Sequence, residues 1–281
     1  MESREKIQVP FEDTEQDTEQ IPGGRELLSA LFNEEQITRL KERTKELVER
    51  IANEDVRLVV FLDRSARPVS WMLRAAWNEF ADGKPMPKIK FANIGSEKKD
   101  VVGYVTPPRP YNFNTKKVYE EVARDYWGKL GGSEEYIEKM KRDVGGLFPQ
   151  KRDAQWRYSS QEGEILIVDD SACSGFTLEL AAGFFQNHFP QAYVNIYSFL
   201  RQEDAALFKN NELGPEKLWQ GVYLPWNTDK TLTLLEERED SKKITATPER
   251  DPEKRTRGIQ LKRELEGLFQ DEEETKEEKV A

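Results

Sequence analysis

Cysteine and histidine each occur once in this chain of 281 residues. One cysteine excludes an intramolecular disulfide framework. The sole histidine, His188, falls at the end of an expected helix, so Cys173 has no evident partner for nucleophilic catalysis. Also missing are a secretory h-region and an apolar run long enough to cross a bilayer. A soluble, cytoplasmic protein without a membrane partner is therefore expected. Positive charge is in short supply: 43 Lys and Arg against 53 Asp and Glu leave a net charge of -10. That field disfavours generic attraction to a nucleic-acid backbone, so nucleic acid is not an expected partner. No GxxxxGK phosphate loop occurs either. Charged residues reach 34% and mean hydropathy is -0.80, and the polar excess gathers at the two ends.

Residues 1–24 hold the near-repeat Asp13-Thr14-Glu15-Gln16-Asp17-Thr18-Glu19-Gln20, too polar to offset its ordering entropy, and read as a disordered acidic tail. Residues 25–55 read as a helical N-terminal extension. Its apolar positions are Leu27, Leu28, Leu31, Phe32, Ile37, Leu40, Leu47 and Ile51, with a break at Phe32-Asn33 where Asn33 can cap a second helix. The main domain spans 56–238. Arg57 to Leu62 is a continuous apolar run of the kind buried on both faces of a parallel sheet, Trp71 to Phe80 a helix, and Lys88 to Ile94 the next strand. Residues 95–163 form a helical insertion, with helices expected over Thr115 to Leu130 and Ser133 to Val144. Glu164 to Val168 is a strand, Thr177 to His188 a helix and Tyr193 to Leu200 a strand. This alternation predicts an α/β fold with a doubly wound, mainly parallel sheet. Residues 239–281 read as a charged C-terminal tail with one helix over Ile259 to Phe269. Both tails are expected to be dispensable for the fold.

The chemistry concentrates where Ile165-Leu166-Ile167-Val168 runs into Asp169-Asp170-Ser171-Ala172-Cys173-Ser174-Gly175-Phe176-Thr177. Ligands of parallel sheets bind at the carboxyl ends of strands, where the following loop can wrap a phosphate with backbone N–H groups. Paired carboxylates suit the two neighbouring hydroxyls of a ribose. Ser174 and Thr177 offer hydroxyl donors, Gly175 lets backbone approach a phosphate closely, and the helix from Thr177 adds its positive end.

The run DDSACSGFT resembles the signature of the type I phosphoribosyltransferases: a hydrophobic strand, two acidic residues, three variable residues, then Thr or Ser, Gly, any residue and Thr. The resemblance covers roughly Arg57 to Trp226. It implies that Asp169 and Asp170 are the catalytic acids and hold the ribose of phosphoribosyl pyrophosphate, with Ser171, Ala172 and the stretch from Cys173 to Thr177 completing the ribose and 5'-phosphate site. It implies Mg²⁺ as cofactor, held by the pyrophosphate and ribose oxygens, so that Asp169 and Asp170 face the metal only through the donor. It also implies a pyrophosphate-contacting loop after the first core strand, a position occupied by Asp63, Arg64, Ser65, Ala66 and Arg67. Arg64 and Arg67 would supply positive charge there. Some purine-salvage members place an acidic residue where this chain has Cys173, so that assistance to the base must come from elsewhere. Leu218 to Asn227 resembles the aromatic segment of bacterial xanthine and guanine transferases. Tyr223 or Trp226 could stack on a base there, or serve as core or subunit-contact aromatics in a homodimer. Arg152 and Arg157 are candidate cations for closure over the pyrophosphate.

Other readings of the same residues exist. An apolar strand ending in two aspartates also opens a response-regulator receiver, but Tyr193 to Leu200 ends in Arg201 where that fold needs further acceptor chemistry. A haloacid-dehalogenase phosphatase needs an aspartate two residues after Asp63, where Ser65 stands. Two function classes follow: a transferase moving 5-phosphoribose to a nucleobase or related nucleophile, and a non-catalytic sensor of phosphoribosyl pyrophosphate or nucleotide that keeps the same pocket.

Overall fold

The computed structural model describes residues 25–63, 65–94, 133–148, 163–171, 176–208, 224–228, 232 and 248–270. Four strands form one all-parallel sheet: β1 (Val56–Leu62), β2 (Lys88–Ala92), β3 (Glu164–Ser171) and β4 (Tyr193–Leu200), in the order β2-β1-β3-β4. The helices are α1 (Glu26–Leu31), α2 (Glu34–Asn53), α3 (Arg67–Phe80), α4 (Ser133–Val144), α5 (Phe176–His188), α6 (Pro225–Thr228) and α7 (Pro252–Glu266). Among the described residues no helix is long and apolar enough to cross a membrane.

The two central strands read as unbroken apolar runs because both of their faces are covered. Val59 and Phe61 of β1, with Leu166 and Val168 of β3, pack under α2, α3 and α7. Leu58, Val60 and Leu62, with Ile165 and Ile167, pack under α4 and α5. The result is a three-layer α/β arrangement, and the register Val59↔Leu166 and Val60↔Ile167 keeps like-facing side chains level. The chain leaves β1 for β2 on one side and returns to β3 on the other. The carboxyl ends of β1 and β3 therefore flank the point where winding reverses, the crevice in which open α/β sheets bind their ligands.

The helical extension forms as its pattern predicts. Asn33 Oδ1 accepts from Gln36 N and Gln36 Oε1 from Asn33 N, both at 2.9 Å, a reciprocal cap that starts α2. Arg43, 1% exposed on α2, donates from Nε and Nη2 to the two oxygens of Asp204, each at 3.0 Å, and also meets Glu46 and Glu203. This fixes α2 to the segment after β4.

Two expectations need correction. The first concerns 239–281 as a charged tail. Within it α7 starts at Pro252, capped by Asp251, and buries Leu261 and Leu265, followed by Leu268 and Phe269, in the main core. Its Glu264 carboxylate accepts the N–H groups of Leu27 (3.2 Å) and Leu28 (2.5 Å), neutralising orphan donors at the start of α1. The helix expected over Ile259 to Phe269 is there, but few apolar residues among many charges hid its start at Pro252 and its narrow buried stripe. The second concerns α3, which begins at Arg67 rather than near Trp71, because Pro68 occupies a first-turn position where a missing N–H costs nothing. The turn after β1 is therefore short. The acidic tail over 1–24, the helix over Thr115 to Leu130 and the pair Arg152 and Arg157 lie outside the described residues.

Candidate functional site

Strand β1 hands its chain to a tight turn. Asp63 N–H donates to Ala92 O at 2.9 Å, continuing the pairing with β2, and Ala66 N–H donates back to Leu62 O at 3.1 Å. The turn delivers the Ser65 side chain to the neighbouring strand end. There, Ser65 Oγ donates to Asp169 Oδ1 at 2.9 Å, and Asp170 N–H donates to the same oxygen at 3.0 Å. Two segments 104 residues apart in sequence thus meet through side chains at the crevice.

Asp169 is 8% exposed and Asp170 2%. Burial, then the charge of Asp170 and a hydrogen bond shared with it, push the Asp169 carboxyl well above the usual carboxylate range, while the Ser65 and Asp170 N–H donors pull the other way. Carboxylate oxygens are acceptors, and a vicinal diol offers two neighbouring donors of matching chemistry. Among the described residues no cluster of three or more His, Cys, Asp or Glu side chains that could hold a metal ion by itself is present.

Arg67 does not behave as a free cation. Its Nη2 and Nε lie 2.7 Å and 2.9 Å from Asp63 Oδ1, with side chains 7% and 4% exposed, and its guanidinium stacks 4.0 Å from the Phe91 ring centroid. Asp63 and Arg67, both expected from the sequence in a pyrophosphate-contacting loop, are thus paired with each other. Asp63 and Arg67 stand four residues apart, with Arg67 in the first turn of α3, and close on each other across the turn. Tyr136 of α4 donates its hydroxyl to Phe91 O at 2.8 Å, and burial followed by the Asp63 charge raises its pKa. Helix α4 is thereby anchored on β2, beside the turn after β1.

Trp226 is 1% exposed and packs against Phe32, ring centroids 5.5 Å apart. A ring so enclosed has no face for a base, so of its two expected roles the core role is the one it fills. Its indole N–H donates to Ser65 O at 3.1 Å. Ser171 ends β3, and Thr177 sits half-buried in the first turn of α5. Arg64, Ala172, Cys173, Ser174, Gly175 and Tyr223 lie outside the described residues, and of Phe176 only the backbone is described. Sequence reasoning missed Phe91 and Tyr136, which carry no motif. The spacing of Asp63 and Arg67, by contrast, was a readable sign of pairing.

No protein-family model, curated protein or solved structure matches this chain.

Proposed function

We propose that the chain is a Mg²⁺-dependent phosphoribosyltransferase that moves 5-phosphoribose from phosphoribosyl pyrophosphate to a nucleobase or related nitrogen nucleophile. The observation that carries this reading is the bond from Ser65 Oγ to Asp169 Oδ1, which joins the turn after β1 to the acidic end of β3 at the winding reversal. Asp169 and Asp170 would accept the ribose 2'- and 3'-hydroxyls, while Ser174, Gly175 and Thr177 would address the 5'-phosphate at the start of α5, where the helix dipole favours an anion. The nucleophile forms its bond to C1' as the bond from C1' to the pyrophosphate oxygen breaks; pyrophosphate leaves with the electron pair and the nucleophile loses its proton. This chain's residues contribute mainly orientation and electrostatic stabilisation. Mg²⁺ would be held through the bound donor, with Asp169 and Asp170 facing it only indirectly, and would offset the leaving group's charge.

A second reading, a sensor of the same donor, is favoured by one observation. Arg67 is neutralised by Asp63, which leaves less cationic help for a departing pyrophosphate. The two readings separate in one assay: the full chain with Mg²⁺, phosphoribosyl pyrophosphate and a panel of purine and pyrimidine bases, followed for pyrophosphate release. The transferase reading expects release with at least one base and its loss in Asp169→Asn/Asp170→Asn. Donor binding without release for any base would make the protein a sensor.

A further inference from the structure

Ser65 is held at both of its polar ends. Its hydroxyl meets Asp169, and its carbonyl accepts the Trp226 indole N–H. An indole N–H is a donor only, and a buried one left unpaired is costly, so the choice of acceptor fixes what it touches. Trp226 itself is seated on Phe32, at the junction of α1 and α2, and Phe32 also meets the edge of Phe208 with centroids 6.4 Å apart. A continuous line of contacts therefore runs from the helical extension, through Phe32, Trp226 and Ser65, to the acidic strand end.

We propose that Trp226 is a positioning residue of the candidate site, fixing the Ser65 carbonyl and thereby aiming the Ser65 hydroxyl at Asp169 Oδ1. This rests on the reading of Asp169 and Asp170 as the ribose-diol acceptors. Ser65 lies in a turn secured locally by the Ala66 to Leu62 bond, with Asp63 carrying the β1 pairing on one side and α3 beginning at Arg67 on the other. The indole bond adds an anchor from outside the turn. With it, Asp169 Oδ1 has two fixed donors and the carboxylate a set orientation, which matters because small misplacements at a site are costly out of proportion to their size.

Trp226→Phe keeps an aromatic ring against Phe32 but removes the N–H together with part of the indole, so the Ser65 variants beside it separate positioning from space-filling. Calorimetry of the full chain with Mg²⁺ and phosphoribosyl pyrophosphate should show affinity falling by about tenfold, equivalent to one lost anchor of roughly 1.4 kcal/mol. Ser65→Ala should fall similarly, Ser65→Thr should restore binding, and the Ser65→Ala/Trp226→Phe pair should be no worse than either alone, since both act through one contact. A donor-free readout runs beside it. The Trp226 indole N–H signal in nitrogen–proton NMR, identified by its loss in Trp226→Phe, should move in Ser65→Ala and in Asp169→Ala. Wild-type affinity in Trp226→Phe, additive losses in the pair, or an indole signal unmoved by both variants would overturn the proposal. If the wild-type chain does not bind the donor, the functional reading falls and the indole signal alone decides whether Trp226 is tied to Asp169. Should Trp226→Phe not fold, the indole signal is assigned through its contacts with Phe32 instead, and the Ser65 and Asp169 variants decide in the same way.

Discussion

At Asp169 two opposing influences meet: burial beside Asp170 disfavours its charge, and the Ser65 and Asp170 N–H donors favour it, with burial the stronger. The sign of the pH dependence follows. Below about 3.9, the ordinary Asp value, both folded and unfolded chains hold the proton and Asp169 carries no penalty. As pH rises, the unfolded chain ionises first, so stability falls until the folded carboxyl also ionises. Asp169→Asn keeps an acceptor for both donors and removes the charge. Urea unfolding should show the variant more stable than wild type at pH 7, with the gain shrinking toward zero near pH 4. A gain independent of pH would contradict the assignment. Breaking the nearby ion pair should lower stability instead. Arg67→Met takes the guanidinium away from the buried Asp63 carboxylate and should cost about 3 kcal/mol in the same experiment.

Among the elements, α7 carries the largest consequence. Truncation after Gln270 should leave cooperative unfolding intact, whereas truncation after Arg250 removes Leu261, Leu265, Leu268 and Phe269 from the core and should abolish it. Glu264→Ala, which leaves the Leu27 and Leu28 N–H groups without their carboxylate, should lower stability by about 1 to 2 kcal/mol, read by thermal or urea unfolding. These effects mark the limit of what could be read from the sequence. Strands β1 and β3 were legible because a short apolar run bounded by turns fits a sheet interior and little else. The Asn33 cap was legible because capping is local. The α7 stripe was not, since Leu261 and Leu265 lie among charges and find their partners in α1 and α3, more than 180 residues away in sequence. Trp226 was half legible. Its size predicted burial, but nothing in the chain foretold the Ser65 carbonyl.

For the molecule as a whole, the winding reversal between β1 and β3 gathers the candidate chemistry, and the two ends of the described chain clasp behind it through α1 and α7. Asp169 and Asp170 could be placed at a strand end from sequence. Their link to Ser65 and through it to Trp226 could not, because it depends on which strands become neighbours. The central claim is that this crevice takes a phosphoribosyl pyrophosphate in the presence of Mg²⁺. Isothermal titration of the full chain tests it most directly. Saturable, Mg²⁺-dependent binding that disappears in Asp169→Asn/Asp170→Asn is the predicted result, and either no binding by the wild-type chain or equal binding by the double variant would contradict it.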